Sequence, residues 1–172
     1  MTQHMSGPSD LSGQVAFITG GAGGMGRAIS AAFAAAGAKV IATDRAAKED
    51  LGAGIEYLQY DVTSRAETDA VMDAVIAKHG KIDILVLCAG IIARTPLGDS
   101  TDDEWDAIMN VNVRGVVNPT RKLFPLMCQQ GFGKILAAGS IAAKNGGVAS
   151  GPAYVASKSA VHGMMRWIAT AG

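Results

Sequence analysis

Three side chains late in the sequence have the types and the spacing to move a proton: Ser140, Tyr154 and Lys158. Tyr154 and Lys158 are four residues apart, so on a helix their side chains lie on the same face. A nearby ammonium stabilises a phenolate, which suits Tyr154 to act as general acid in carbonyl reduction and general base in alcohol oxidation. Ser140 would hydrogen-bond the substrate oxygen and stabilise the charge that develops on it. Taken alone, a Tyr/Lys pair at this spacing is more often a surface contact than a catalytic pair.

A glycine-rich run near the start of the chain, Thr19-Gly-Gly-Ala-Gly-Gly-Met-Gly26, has the composition of a phosphate-binding loop. Glycine lets the backbone turn tightly and approach a pyrophosphate, and a following helix presents free N–H groups and its positive dipole end to the phosphates. A simple tight turn would also use glycine, but this run lies between a strand-like and a helix-like stretch, as a dinucleotide loop requires. The predicted cofactor contacts in it are Gly20, Gly23, Gly24, Met25 and Gly26.

Asp44 follows eighteen residues after Gly26, at the end of the second strand-like run. A carboxylate at about this distance is expected to accept hydrogen bonds from the ribose hydroxyls of a dinucleotide. It would also repel a 2′-phosphate, which favours NAD over NADP. Arg45 beside it could weaken that preference, and the simpler alternative is a solvated Asp at a strand end. We predict NAD as the cofactor.

These groups need elements to position them, and the sequence alternates short apolar runs with helix-like stretches. The short runs are rich in β-formers and nearly free of polar residues, as expected of strands buried on both faces: Val15–Thr19, Lys39–Thr43, Ile55–Tyr60, Ile84–Cys88 and Lys134–Ala138. The predicted helices are Gly26–Ala36, Ser64–His79 with a Ser64 cap, Asp102–Gln130 and Ala153–Ala171, and Ala46–Gly54 could form only a short one. The alternation predicts an α/β fold, a Rossmann-like doubly wound parallel sheet with helices on both faces. Five strands are predicted where such folds commonly have six.

The bulk composition fits one folded domain over residues 13–172, preceded by a flexible tail over residues 1–12. Of the 172 residues, 49% are apolar and only 17% are charged, which is typical of a globular protein. The 15 basic and 15 acidic residues cancel and form no basic block, so we do not expect a nucleic-acid partner.

Several other classes of protein are also disfavoured. The start of the chain lacks the pattern of a signal peptide, and no apolar stretch is long enough for a membrane span. Cys88 and Cys128 offer neither a disulfide framework nor metal-ligand spacing, and both are predicted to be buried thiols in a reducing compartment. The three histidines show no ligand spacing, and His162 is interpreted as an ordinary polar or packing residue on the last helix. We expect a cytoplasmic protein without a metal site or a membrane partner.

Taken together, these motifs resemble those of the short-chain dehydrogenases/reductases. The spacing of the glycine-rich run matches the family's cofactor loop, and Tyr154-Val-Ala-Ser-Lys158, preceded by Ser140, matches its Tyr-x-x-x-Lys motif. Asn112 matches the family's fourth catalytic position, and Asp61-Val62 matches its adenine-contacting pair. The matches follow the family's order from residue 19 to residue 158, and their joint occurrence is highly specific.

The resemblance implies an oxidoreductase that interconverts a small-molecule secondary alcohol and a carbonyl by hydride transfer, with NAD as the cofactor. It implies that Tyr154 and Lys158 also contact the cofactor, with Lys158 holding the nicotinamide ribose. It assigns to Asn112 the placement of a water that relays the proton, and it implies a homodimer or homotetramer. The substrate itself is not indicated.

The sequence departs from the family's pattern at three places. Where the family has Asn-Asn-Ala-Gly after the fourth strand, this chain has Leu-Cys88-Ala89-Gly90, whose backbone can still approach the cofactor. Pro119 lies inside the long predicted helix and should kink or break it. The chain also ends where family members continue into a further strand and a substrate-covering loop. We therefore expect a C-terminally truncated form that turns over substrate poorly or not at all.

That departure leaves a second function open beside the enzyme. The chain could be a catalytically silent dinucleotide-binding or interaction module that kept the cofactor loop without the substrate-binding half. The intact Ser140, Tyr154 and Lys158 favour descent from a working enzyme, and the abrupt ending favours inactivity.

Overall fold

The computed structural model describes residues 10–47 and 50–172, and within them five short strands alternate with helices. The strands are β1 (Val15–Thr19), β2 (Lys39–Asp44), β3 (Ile55–Gln59), β4 (Ile84–Leu87) and β5 (Lys134–Ala137). The helices are α1 (Gly24–Ala35), α2 (Arg65–His79), α3 (Asp102–Met109), α4 (Gly115–Gln130), α5 (Ala142–Asn145) and α6 (Pro152–Ala171). Every predicted strand is present, with its ends moved by at most one residue. Most of the predicted N-terminal tail, residues 1–9, lies outside the described residues, so that prediction stays open.

All neighbouring strands pair in parallel, in the order β3-β2-β1-β4-β5. Phe17 in β1 pairs with Ile41 on one side and with Leu85 on the other. The predicted doubly wound fold class is therefore confirmed. Because the chain first builds outward from β1 through β2 and then returns to place β4 on the other side, a crevice forms at the carboxyl ends of β1 and β4, where such sheets bind ligands.

Two apolar clusters cover the two faces of the sheet. Phe17 and Leu85 belong to the larger cluster with Met72 of α2 and Leu123 of α4, all of them buried. Ile18, the next residue in β1, belongs to the second cluster, beneath α1. Successive strand residues point to opposite faces, so central strands must be apolar throughout.

The prediction of burial on both faces is wrong for the outer strand β5. Lys134 is exposed and Leu136 keeps 46% of its surface accessible. Among the residues that the structure describes, β5 pairs with β4 alone, so an apolar sequence did not distinguish a central strand from an edge strand.

The long predicted helix, Asp102–Gln130, is present as α3, a π-helical segment (Asn110–Arg114) and α4 in direct succession. The sequence predicts a kink or a break at Pro119. The break is wrong, because α4 continues through this residue and through Pro125, whereas the kink stays a prediction. The ring of Pro119 would crowd the carbonyl of Gly115, four residues earlier. The wider π segment ends directly before Gly115, and Leu123 and Met127 anchor the rest of α4 in the core.

Three smaller expectations also differ from the structure. Cys128 is exposed on α4 and Cys88 is only partly buried, so the prediction of two buried thiols is wrong. The described residues between β2 and β3, 45–47 and 50–54, contain no helix. None of the helices in the described ranges has the length and hydropathy required of a bilayer span.

Candidate active site

The glycine loop between β1 and α1 is closely packed, and Gly20, Gly21 and Gly26 have no room for a side chain. Gly20 has φ of +69°, and a Cβ on it would lie 2.6 Å from the amide nitrogen of Ala89. A Cβ on Gly26 would overlap the carbonyl oxygen of Gly20. The residue before α1 is Gly23, and no side chain caps this helix. The first amide groups of α1 are thus left to meet an anion from outside the chain.

Asp44 at the end of β2 is bound to the same loop. Its Oδ2 accepts a hydrogen bond from the amide of Ala22 at 3.1 Å, and its Oδ1 accepts one from the amide of Ala46 at 3.3 Å. A carboxylate has about four lone-pair positions, so it can still accept a ribose hydroxyl. Asp44 therefore has a structural contact with the loop in addition to its predicted contact with the cofactor.

A cleft of about 290 Å³ opens at the carboxyl ends of β1 to β4. Eight of the predicted cofactor residues line it: Gly20, Gly23, Asp44, Asp61, Val62, Cys88, Ala89 and Gly90. The cleft is also lined by residues that the sequence did not indicate as contacts: Arg45, Tyr60, Thr63, Ile91, Ala107, Asn110 and Val111. Gly24, Met25 and Gly26 lie beside the cleft in the first turn of α1.

The loop after β3, which carries Asp61 and Val62, is held from the far side by Asn118 of α4. The buried amide nitrogen of Asn118 donates to the carbonyl oxygens of Val62 at 2.9 Å and Thr63 at 3.2 Å. Asn118 was not predicted, because nothing in a single sequence marks a helical Asn as the partner of a distant loop.

The loop after β4 is held by side chains from two neighbouring elements. Thr19 accepts a hydrogen bond from the amide of Ala89 at 3.3 Å. Asn112 is fully buried in the π segment, where its Oδ1 accepts from the amide of Ile91 at 2.8 Å and its Nδ2 donates to the carbonyl of Ile91 at 2.9 Å. The side chain of Asn112 thus serves as a bridge to the backbone.

The same Asn112 connects to the last helix through Ser157. Its Nδ2 also donates to Ser157 Oγ at 3.0 Å, and this hydroxyl donates to the carbonyl of Tyr154 at 2.7 Å. Ser157 is fully buried and was not singled out from the sequence. One network therefore joins the loop after β4, the π segment and the turn of α6 that carries Tyr154.

Lys158 is almost fully buried between this network and the loop after β5. Its Nζ donates to the carbonyl of Ala138 at 2.7 Å and lies 5.7 Å from the centre of the Tyr154 ring. Burial lowers the pKa of Lys158, and the neighbouring Cys88 partly opposes that shift. Burial likewise raises the pKa of the Cys88 thiol. A Cβ on Gly90 would lie 3.7 Å from this Nζ, which places the lysine at the cleft.

Ser140 lies in the loop after β5, where its main chain bonds to α6. Its Oγ accepts a hydrogen bond from the amide of Ala142 at 3.1 Å, and its own amide donates to Nε2 of His162 at 3.3 Å. The structure thus brings Ser140, Tyr154 and Lys158 to the carboxyl edge of the sheet, with Asn112 behind them. The described residues contain no group of three His, Cys, Asp or Glu side chains that could hold a metal ion.

Comparison with known proteins identifies this arrangement. A family model described as short chain dehydrogenase matches residues 14–171. The chain belongs to the short-chain dehydrogenase family. Within this family, a 3-oxoacyl-(acyl-carrier-protein) reductase of Thermotoga maritima is 36% identical over 169 residues, covering 91% of this chain and 67% of the reductase. A 3beta-hydroxysteroid dehydrogenase 2 of Eggerthella lenta is 34% identical over 173 residues, covering 92% of this chain and 65% of that enzyme.

The similarity extends to three dimensions. The crystal structure of a 3-ketoacyl-(acyl-carrier-protein) reductase from Brucella melitensis, complexed with NADH, matches with a TM-score of 0.86 and 33% identity, covering 93% of this chain and 70% of the reductase. The chain thus spans about two thirds of the length of these relatives. The family resemblance inferred from the motifs is confirmed, and so is the oxidoreductase class.

Proposed function

We propose that this protein is an NAD(H)-dependent oxidoreductase that interconverts a secondary alcohol and a carbonyl. The observation that carries the proposal is the position of Lys158, whose Nζ lies by the Tyr154 ring, by Gly90 of the dinucleotide cleft and on the carbonyl of Ala138. Ala138 begins the loop of residues 138–141 that carries Ser140, called here the Ser140 loop. A proton donor, an amine and a hydroxyl donor at the carboxyl edge of a doubly wound sheet suit proton-coupled reduction of a carbonyl.

The residues of the cleft fit a nicotinamide dinucleotide. The first turn of α1 has no side-chain cap and suits a pyrophosphate, and Gly24 leaves space beside that turn. Asp44 lines the cleft, where its carboxylate would accept hydrogen bonds from a ribose. When bound, the cofactor would supply or accept the hydride. Tyr154 would donate the proton to the carbonyl oxygen, and Ser140 would hydrogen-bond that oxygen. Lys158 would hold the nicotinamide ribose and stabilise the phenolate of Tyr154.

The preference for NAD over NADP rests on Asp44. Its carboxylate is held toward the cleft by Ala22, and a 2′-phosphate on the adenosine would bring like charges together. Arg45 lines the same cleft and opposes this effect. The Brucella reductase that matches in three dimensions binds NADH, which supports the same choice.

Cofactor binding is the first test. The purified chain is titrated with NADH and, in parallel, with NADPH by isothermal calorimetry, and we expect NADH to bind at least tenfold more tightly, since a factor of ten corresponds to only ~1.4 kcal/mol. Equal affinities for NADH and NADPH would contradict the assignment of NAD as the cofactor. Binding of neither would show that this chain does not form the dinucleotide site.

The reaction is tested separately, by following NADH oxidation with 3-oxoacyl thioesters and with 3-oxosteroids, the substrate classes named for the two relatives. We expect slow turnover by the 172-residue chain, measurable at high enzyme concentration. The matched Tyr154→Phe variant should bind NADH unchanged and lose at least ~10²-fold in rate, the usual contribution of a general acid. An unchanged rate in Tyr154→Phe would exclude Tyr154 as the acid. Tight NADH binding with no turnover of any carbonyl would support the silent module instead.

A further inference from the structure

Two hydrogen bonds join helix α6 to the Ser140 loop, and one of them comes from a histidine that the proposed reaction does not use. Tyr154, Lys158 and His162 follow one another at intervals of four, so they share one face of α6. Lys158 Nζ donates to the carbonyl of Ala138 at 2.7 Å, and His162 Nε2 accepts from the amide of Ser140 at 3.3 Å. The backbone on both sides of Gly139 is thus fixed to the helix that carries Tyr154.

We propose that His162 is a positioning residue for Ser140, acting as the hydrogen-bond acceptor that sets the distance of the Ser140 main chain from α6. The contact is close as well as polar. A Cβ on Gly139 would lie 2.5 Å from Nε2 of His162, so the imidazole packs directly against the loop and leaves no space for a larger residue there.

The hydrogen bond fixes the chemical form of the ring. An amide N–H can donate only to a nitrogen with a free lone pair, so this hydrogen bond requires an unprotonated Nε2 in His162 and predicts a ring whose proton is on Nδ1. This is the less common tautomer of free histidine. The hydroxyl of Ser140 is held from its other side, because Oγ accepts from the amide of Ala142 at 3.1 Å. The hydroxyl proton of Ser140 is then available to a substrate oxygen, at a position set by His162 and Ala142.

The catalytic part of this inference rests on the proposed function, whereas the hydrogen bond itself does not. Two variants separate an acceptor from a mere packing group. His162→Gln keeps an oxygen at the reach of Nε2, while His162→Leu keeps apolar bulk and removes the acceptor. The Leu variant leaves the Ser140 amide without a partner, whereas the Gln variant keeps it bonded.

The first readout is nuclear magnetic resonance and needs no substrate. A long-range ¹H–¹⁵N spectrum of the wild-type chain should show His162 with a protonated Nδ1 and an unprotonated Nε2. Solvent exchange of the Ser140 amide should be about fivefold or more faster in His162→Leu, in line with loss of one ordinary hydrogen bond, and near wild type in His162→Gln. A protonated Nε2 in the neutral ring, or equal exchange in the two variants, would overturn the proposal.

The second readout is the split between kcat and cofactor binding. His162→Leu should lower kcat for carbonyl reduction about fivefold or more, His162→Gln should restore it, and the Kd for NADH should stay the same in both. Equal loss of kcat in the two variants would overturn the positioning role. If the wild-type chain shows no turnover, the proposed function is what fails, and the spectroscopic readout still decides whether His162 holds Ser140. Should His162→Leu not fold, His162→Asn, whose acceptor is too short to reach Ser140, takes its place.

Discussion

Lys158 is withdrawn from water and meets a carbonyl oxygen and an aromatic ring, and no ion pair with a carboxylate is found for it within the described residues. Burial of an unpaired ammonium is unfavourable, which is why the pKa of Lys158 is lowered. Such groups are typical of functional sites, since a purely structural role would be served better by an apolar side chain. At the residue scale, the buried ammonium of Lys158 therefore lowers the stability of the fold and places a charge beside the cleft.

Asp44 provides a prediction at the same scale. Asp44→Asn should weaken NADH binding roughly tenfold, since a hydrogen bond to a charged group contributes about 1.5–3 kcal/mol and the amide keeps only part of it. NADPH affinity should stay the same or rise, because the repulsion of the 2′-phosphate is removed. Calorimetric titration of both dinucleotides measures the two effects. Asp103→Asn, an exposed carboxylate in the first turn of α3, is the matched control and should change neither affinity.

Most residues of the site could be predicted from the sequence, because their spacing encodes their chemistry. Asp44 was found by its distance from the glycine loop, and Tyr154 and Lys158 by their interval of four. Asn118, Ser157 and His162 could not be found in this way. Each bonds a partner that is 22 to 56 residues away in sequence, and such a partnership depends on tertiary contacts that no local pattern contains.

At the scale of elements, the connection from β1 to α1 depends on the close approach of Gly26, in the first turn of α1, to Gly20, directly after β1. Gly26→Ala should disrupt the glycine loop, because the added methyl group would overlap the carbonyl oxygen of Gly20. We expect the free energy of unfolding to fall by ~1–3 kcal/mol, as for other overpacked sites, and NADH binding to weaken.

The matched control for Gly26 is Gly163, which lies inside α6, where an added methyl group would meet no atom within 4 Å beyond its own stretch of helix. Gly163→Ala should stabilise the chain by about 0.5–1 kcal/mol, the usual difference in helix propensity. Urea denaturation compares the two variants. Equal effects of the two substitutions would mean that the close approach of Gly26 to Gly20 is not a constraint.

The contact between β3 and the last turn of α2 gives a prediction about the pH dependence of stability. Lys78 Nζ lies 2.8 Å from Oε1 of Glu56, and His79 lies 3.3 Å from Oε2. The hydrogen bond from Lys78 lowers the pKa of Glu56 most, His79 adds to the shift, and burial opposes it. Since the carboxyl binds its proton less tightly in the folded state, its contribution is present above its ordinary pKa and is lost as pH falls through the lowered one.

Glu56→Gln should therefore reduce the free energy of unfolding at pH 7 by no more than about 1 kcal/mol, the range of partly exposed ion pairs. The difference from wild type should shrink to nothing as the pH falls below the lowered pKa. Urea titrations from pH 7 down to the acid limit of folding measure this. A difference that is the same at every pH would show that the effect of Glu56 is packing and not charge.

The elements themselves were largely predictable, since the apolar runs and the Ser64 cap are local signals. Ser64 Oγ does accept from the amide of Glu67, at 3.2 Å. The passage of α4 through Pro119 and the exposure of β5 were not predictable. The first depends on a π segment and on packing that outweighs helix propensity, and the second depends on the position of β5 at the edge of the sheet.

At the scale of the whole molecule, an apolar groove of about 600 Å³ runs between the end of α4, β5 and the end of α6. Phe132 lines this groove and exposes nearly half of its surface, and Trp167, which packs against Phe124 of the groove, exposes 64%. Leu136 exposes a similar fraction on the opposite face of β5, because Ile135 points into the groove. Exposed apolar surface of this kind, next to an unpaired parallel edge strand, promotes association.

We therefore expect the 172-residue chain to self-associate reversibly, and Leu136→Lys to weaken this association about tenfold or more, because a charge on an edge strand opposes pairing. Sedimentation velocity over a range of concentrations measures it. Leu97→Lys is the matched control, since Leu97 is 70% exposed in the segment between β4 and α3. A monomer at all concentrations, or equal effects of the two substitutions, would contradict this expectation.

The parallel order β3-β2-β1-β4-β5 also has a thermodynamic consequence. One wall of the cleft comes from residues 20–63 and the other from residues 88–111, so neither stretch of the chain forms the cleft by itself. A ligand that needs both walls can bind only the fully folded chain, so at free concentration [L] it adds RT ln(1 + [L]/Kd) to the stability of the whole fold. Saturation with such a ligand would then slow the hydrogen exchange of the most protected amides in the central strands as much as that of the loop amides. The chain would behave toward such a ligand as one cooperative unit, even though the cleft lies at one edge of the sheet.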